Sequence, residues 1–391
     1  MRKSNVTGDV MDKVYGDFLY LLKCYINNEK APADFSFNVG EVFSLAVIHN
    51  VVPMVYSAAS GTQCDVSMFK NRTLALAGMQ IQKNINFSLL YKELSEAGFD
   101  VMVVKGPVCA AVYPQSDMRL SSDFDVIVKE DDYAEICGYL TSHGFDGADG
   151  VYKSESRGLY IEISTSLGEG SDRLKSIADS LFDGFWARSI ISDGYRTLSH
   201  TDHMLYLIYH AFKHFVGSGF GIRQILDIML FAEHYKDDID FGFVADSLNK
   251  MNAIGFFNNV FYLIEKVFDR HIVSYSNENI CFDVFLSDVL TAGVFGKSSE
   301  DRLHSSSMVS DAVENDGKRS MKSALLPPFS VMKKRYKILK ILPFLLPFFW
   351  LGRILSYGFK CIFKRKRSSP KKSIEIADSR IDMMKKMGIV N

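Results

Sequence analysis

The sequence predicts an α+β protein, with a small α/β core (a short mixed sheet and its helices) flanked by N- and C-terminal helical regions. Three observations predict it. Apolar residues recur at helical spacing on both sides of a central block; inside that block short β-branched runs alternate with amphipathic segments; and 391 residues at 47% apolar and 13% aromatic content are enough for two or three domains with a sizeable core.

Residues 1–95 form the first helical region. Val14, Phe18, Leu21 and Leu22 share one helical face, EVFSLAVIHNVVPMVYSAA (41–59) is a second, more buried helical segment, and a long helix opens near Asn71 and stops at Gly98. The period then changes. Over 96–190, DVMVVKG (100–106) is a short strand ending in glycine, SDFDVIV is a second strand, EDDYAEICGYLTSHGF (130–145) is an amphipathic helix, and GLYIEIS (158–164) is a third strand. Helical periodicity returns at 172–188 and 202–235 and again over about 241–269, so 195–295 reads as a helical domain. The Ser-rich stretch within 296–317 reads as a polar linker, and 318–391 as a basic and apolar tail.

The net charge of −1 hides an asymmetry: 19 Lys/Arg face 3 Asp/Glu from Lys318 onward, against 26 and 43 in the rest, so an acidic body carries a basic tail. Cys24, Cys64, Cys109, Cys137, Cys281 and Cys361 are scattered with no CxxC pair, which argues against a zinc site or a disulfide framework and for a reducing compartment. The N-terminus has no continuous apolar core followed by a cleavage site, so the body is expected in the cytoplasm.

RLSSDFDVIV raises the chemical question. Side chains at i and i+2 of a strand share a face, which brings Asp123 and Asp125 together, roughly 6.6 Å apart along the backbone, while Phe124 turns to the core. Carboxylate oxygens about 4 Å apart at an effective dielectric near 20 repel by about 4 kcal/mol, so a hard divalent cation, Mg²⁺ or Mn²⁺, is expected between them. Glu162, flanked by Ile161 and Ile163, is a third acid able to reach the same metal from a neighbouring strand. Three acids on adjacent strands suit metal-assisted phosphoryl or nucleotidyl transfer, in which two hold metal and the third binds metal or takes the proton of an attacking hydroxyl. Lys105 and Gly106 add a cation and bare backbone where phosphates approach, and Arg119 a guanidinium that can fork onto phosphate. A lone DxD is weak evidence, since such triplets often cap turns; the whole order of strand, KG, helix, R-x3-D-x-D, helix and h-E-h strand is far more restrictive.

KGPVCAAVYPQSDMRLSSDFDVIV, the helix ending SHGF, and YIEIS together resemble the bacterial nucleotidyltransferase-fold proteins of the polymerase-β superfamily, in the group with an LKG…R…DxD core. LAVIHNVVPMVY, HMLYLIYHAFKHF with RQILDI, and the proline-rich tail are similar to that group's flanking segments. The resemblance implies Asp123 and Asp125 as metal ligands, Glu162 as the third acid, Gly106 in the nucleotide loop, and an activity that moves a nucleoside monophosphate from a nucleoside triphosphate to a hydroxyl acceptor: a small molecule, a sugar or a protein. One departure stands out. The superfamily loop carries a serine after glycine, whereas here Pro107 offers neither hydroxyl nor N–H, so the phosphate grip is expected from Lys105 and Arg119. The alternative is a fold retained without activity, a binding or scaffold protein tethered by its tail.

His210 and His214, at i and i+4 with Lys213 between them, are either one wall of an acceptor pocket or a structural hydrogen-bonded pair. Arg223 and Asp227 read as a helix salt bridge, and His49 as a core histidine. In the tail, the eleven-residue apolar run 341–351 spans only about 16 Å as helix against a hydrocarbon core of about 30 Å, too short to cross. Its basic flanks (Lys333, Lys334, Arg335 and Lys337; Lys360, Lys364, Arg365, Lys366 and Arg367) suit peripheral contact through 330–367 with anionic lipid on the inner face of the membrane; packing on the acidic body is the equal alternative. No nucleic-acid module is recognisable, and specific nucleic-acid binding is not expected.

Overall fold

The computed structural model describes residues 6–170, 172–217, 219–294, 300–314, 329, 332, 336–340, 342–352 and 370–390. The first region is helical: α1 (Val6–Ile26), α2 (Val39–Ile48), α3 (Val52–Ala59) and α4 (Ser67–Glu96). The single segment expected over 41–59 is two helices, because Asn50 takes a left-handed conformation (φ 57°) and Pro53 starts a new helix where its missing N–H costs nothing.

The core follows as β1 (Val101–Val104), α5 (Gly106–Ala111), β2 (Phe124–Val128), α6 (Tyr133–Ser142), β3 (Asp146–Ala148), β4 (Val151–Ser154), β5 (Leu159–Ser164), α7 (Asp172–Leu181), β6 (Ile190–Ser192) and β7 (Tyr195–Thr197). The main sheet is mixed, in the order β1-β2-β5-β4-β3, with β2 and β5 parallel and the other pairs antiparallel. The three strands read from the sequence are one edge, β1, and two of the inner strands, β2 and β5. The β3–β4 hairpin, absent from the sequence reading, turns on Asp149 and Gly150, both at positive φ, the two-residue turn that Asp-Gly favours.

One face of the sheet is buried on α4. Phe87 stacks on Phe124 with ring centroids 4.1 Å apart, which turns Phe124 inward and leaves Asp125 on the opposite face. The other face meets a helical region of α8 (His200–Val216), α9 (Ile222–His234), α10 (Phe241–Lys250), α11 (Ile254–Phe268) and α12 (Phe282–Ala292).

The polar stretch expected as a linker contains a helix, α13 (Glu300–Glu314), packed against the last one, α14 (Pro370–Lys386). Arg302 and Arg380 from these helices converge on Asp288 of α12 at 2.8 and 3.3 Å, so tertiary ion pairs order a segment that lacks helical apolar periodicity. Of the basic residues read as flanking the apolar run, only Lys337 lies within the described residues. Within the run, Phe344, Phe348 and Leu351 are exposed. No described helix is long and apolar enough to cross a membrane.

Candidate active site

The sheet's free face and the helical region enclose a cleft of about 270 Å³, lined by Lys105, Gly106, Arg119, Asp123, Asp125, Glu162, Glu169, His210, Lys213, His214, Arg223 and Asp227, among others. Every candidate site residue read from the sequence therefore meets in one place.

The acids come from the parallel pair. Asp125 is the register partner of Glu162, so both carboxylates project from neighbouring strands on the same face. Asp123 stands just before β2, with Ser122 Oγ donating to its Oδ1 at 3.1 Å. Burial pushes the carboxyls of Asp125 and Glu162 up, and the neighbouring acids add to the rise in both.

The turn after β1 faces them. Lys105 is held at φ 56°, ψ −123°, and its N–H donates to His203 Nε2 at 3.2 Å. Such a backbone in a non-glycine residue costs about 1–3 kcal/mol and persists only where its surroundings hold it. Gly106 continues at φ 27°, and Pro107 opens α5 with its φ already suited to a helix. Pro107 thus has a structural reason to stand where a loop hydroxyl was expected. The turn aims Lys105 Nζ at Asp125 Oδ1, 3.0 Å away. Burial alone would lower the ammonium's pKa, but Asp125 and Glu169 outweigh it and the pKa is raised.

The opposite wall is one face of α8, carrying Tyr206, His210, Lys213 and His214. His210 Nε2 lies 3.0 Å from His214 Nε2, and the His210 ring lies 3.4–3.5 Å from both lysine ammoniums. Burial first, then Lys105 and Lys213, hold His210 well below the usual histidine value; burial and Lys213 bring His214 down to about 4. Both shifts favour the neutral imidazole.

Glu169, which the sequence reading missed, organises this wall. It pairs with Lys213, accepts from Tyr206 Oη at 2.9 Å, and has His210 Nδ1 at 3.5 Å. Burial pushes its carboxyl up, but the His210 hydrogen bond and the lysine charges hold it well below the usual range. Its one sequence signal is a Gly-flanked acid just after the third strand.

The pairing of two arginines differs from the sequence reading. Arg119 is buried and forks onto Asp227 (Nε to Oδ1 2.7 Å, Nη2 to Oδ2 2.9 Å), while Nη1 donates to Ser121 Oγ at 2.9 Å and Tyr113 Oη donates to the same carboxylate at 2.7 Å. A guanidinium so engaged is a wall of the cleft and not free to take phosphate. Asp227 is therefore Arg119's partner, and Arg223 donates instead to the Leu120 carbonyl. His49 is the core histidine expected, between the Leu290 carbonyl at 3.0 Å and the Ile222 N–H at 3.3 Å.

Asp123, Asp125 and Glu162 are an all-oxygen donor set suited to a hard cation carrying substrate phosphates. Among the described residues, however, no three His, Cys, Asp or Glu side chains stand close enough to cage a metal. An ion held there would rest on the aspartate pair and be completed by phosphate and water. Burial and neighbouring acids raise the Asp125 and Glu162 carboxyls despite Lys105, so a further cation would be electrostatically favoured.

The comparison of families gives the class: the chain belongs to the uncharacterised nucleotidyltransferase family, which it matches over residues 36–269, from just before α2 to the end of α11. The tail lies beyond that match. No curated protein and no solved structure matches the chain.

Proposed function

We propose that this protein is a Mg²⁺- or Mn²⁺-dependent nucleotidyltransferase that moves a nucleoside monophosphate from a nucleoside triphosphate to a hydroxyl on a small molecule, sugar or protein. The observation that carries it is the in-register pairing of Asp125 with Glu162, with Asp123 at the strand entrance and the Lys105–Gly106 turn alongside. Asp123 and Asp125 would hold the ion, which when bound supplies Lewis-acid polarisation of the α-phosphoryl group. Lys105 draws a phosphate oxygen toward the acids, and the neutral His210 and His214 line the wall the acceptor meets. Glu162, whose burial makes it a stronger base than an ordinary glutamate, takes the acceptor's proton as the new O–Pα bond forms. The bond from Pα to the bridging oxygen breaks, and pyrophosphate leaves with its electron pair. Calorimetric titration with each of the four common ribonucleoside triphosphates and Mg²⁺ tests the reading: micromolar to millimolar binding of at least one is expected, and silence with all four would sink it.

One observation favours the second reading, a fold kept for binding or scaffolding: Lys105 already neutralises Asp125 where the cation would sit. The double variant Asp123→Asn, Asp125→Asn separates the two, since cellular function is lost in an enzyme and kept in a scaffold.

The C-terminal segment is proposed as a peripheral contact with anionic lipid. Phe344, Phe348 and Leu351 are exposed at helical spacing, and the body does not cover them. Flotation with vesicles containing anionic lipid, using the full chain and Phe344→Ser with Phe348→Ser, is expected to show binding that the variant loses; equal binding would refute it.

A further inference from the structure

The cleft's charges do not cancel, and the residues left over point to a ligand. Lys105 has Asp125, Arg119 has Asp227 and Lys213 has Glu169. Among the described residues, Asp123 and Glu162 are left with no cationic partner within ion-pairing distance, and so is the one remaining cation of the cleft lining, Arg223, with no carboxylate.

Arg223 sits in the first turn of α9 and gives one N–H to the Leu120 carbonyl. Its Nε is buried and, among the described residues, has no hydrogen-bond partner. A guanidinium N–H buried without a partner costs more than an ordinary unmet donor, because the group is charged. The nearest carboxylate does not satisfy it: Asp227, one turn on, already accepts from Arg119 Nε and Nη2 and from Tyr113 Oη. Burial and the like charge of Arg119 lower the Arg223 pKa, Asp227 and Asp123 counter them, and Arg223 lines the same cleft as the carboxylate pair.

We infer that Arg223 is the polyphosphate-binding residue of the cleft, taking through its guanidinium fork the phosphate oxygens that Pro107 cannot hold and that Arg119, locked on Asp227, cannot reach. The inference rests on the nucleotidyl-transfer reading for its ligand class, and it extends that reading by locating the leaving pyrophosphate end of the triphosphate on α9, a helix outside the α/β core. A polyphosphate there would meet the unmatched positive charge through the part of the guanidinium that lines the cleft, and a cation held by the acids would favour its other end. Arg is the suited residue, because its planar fork matches phosphate geometry where Lys supplies only a point charge.

The test uses the full chain and inorganic tripolyphosphate as probe, by calorimetry with and without Mg²⁺, in wild type, Arg223→Gln and Arg223→Lys. Loss of one charge-assisted phosphate contact corresponds to about a tenfold or greater weakening. Arg223→Gln is expected to weaken tripolyphosphate by that factor even without Mg²⁺, with Arg223→Lys between the two. A lysine that keeps the charge guards against a variant that fails to fold, and melting curves taken alongside report folding directly. If wild type binds tripolyphosphate and both folded variants bind equally well, the inference falls while the nucleotidyl-transfer reading stands. If the variants weaken tripolyphosphate yet wild type transfers no nucleotide to any acceptor, the anion site stands and the transfer reading falls. Wild type that binds neither tripolyphosphate nor any triphosphate overturns both.

Discussion

Asp125 and Glu162 stand side by side on parallel strands, Asp125 adds to the rise of the Glu162 carboxyl, and the ion pair of Lys105 goes to Asp125. Glu162, raised and without an ion-pair partner among the described residues, gains from losing its charge. Glu162→Gln is expected to stabilise the fold at pH 7, by less than about 1 kcal/mol because the group is half-exposed and partly screened. That amounts to a rise of about one or two degrees in Tm. The sign follows from its raised pKa: the ionised form is penalised in the fold, so the variant's advantage is present at pH 7 and vanishes as pH falls through the folded pKa to below the ordinary glutamate value. Melting curves from pH 7 to pH 4 check it; a variant less stable than wild type at pH 7 would contradict the assignment. Nucleotide transfer should fall sharply in the same variant.

Arg119 and Asp227 make the opposite case, a saturated buried pair. Asp227→Ala leaves a guanidinium stranded and Arg119→Ala a carboxylate, so each is expected to cost about 3–5 kcal/mol in chemical denaturation. The double variant should cost well under the sum, because the stranded charge is gone. Tyr113→Phe, which removes one hydrogen bond to the same carboxylate, is expected to cost about 1 kcal/mol. Additive single losses would mean the pair is not coupled.

How much of this was legible follows from the range of the forces involved. Strand and helix identity in the core depends on local period, and β1, β2, β5, α4 and α6 stand close to where the apolar pattern puts them. The gathering of Asp123, Asp125 and Glu162 was legible for the same reason, since side-chain alternation is local and only the pairing of β2 with β5 had to be supplied. The arginines were misread because their partners are distant in sequence. Arg223 and Asp227 satisfy a one-turn rule, yet Arg119, more than a hundred residues away, takes the carboxylate with a fork that a surface i,i+4 pair cannot match. Glu169 was missed because nothing near it in sequence needs an acid; its reasons, Lys213, Tyr206 and His210, all lie on α8. α13 was read as linker because its order comes from Arg302 meeting Asp288 and not from an apolar stripe.

Glu169 predicts a pH dependence opposite to that of Glu162 within one cleft. Its carboxyl is held low, so its contribution is present above the ordinary glutamate pKa and is lost as pH falls below it. Glu169→Gln is expected to destabilise at pH 7 by about 1.5–3 kcal/mol, the range for hydrogen bonds to charged groups. The deficit should shrink in acid as wild type loses the same interaction. With the carboxylate gone, His210 faces two ammoniums with no counter-charge and is less able to take a proton. Urea midpoints for both proteins between pH 7.5 and pH 4 decide the matter, and a deficit that grows in acid would refute it.

Lys105 sets the terms on which a cation enters. Its ammonium is 3.0 Å from Asp125 Oδ1, so a divalent ion on the aspartate pair must displace it or share the carboxylate against its repulsion. Lys105→Met removes that competitor and leaves Asp125 and Asp123 facing each other with no positive charge at hand. Two consequences follow in opposite directions. Without metal the variant is expected to melt below wild type, because a buried carboxylate has lost its partner. With Mn²⁺ it should bind about tenfold more tightly and gain more thermal stability per unit of added metal, since ligation stabilises the folded state in proportion to occupancy. Water-proton relaxation in a Mn²⁺ titration measures the first quantity and melting with and without the ion the second. On the nucleotidyl-transfer reading phosphate affinity should move the other way, because there the same ammonium would meet the triphosphate. If Mn²⁺ binds wild type and variant alike, Lys105 is not the cation's rival, and the aspartate pair is not where the ion sits.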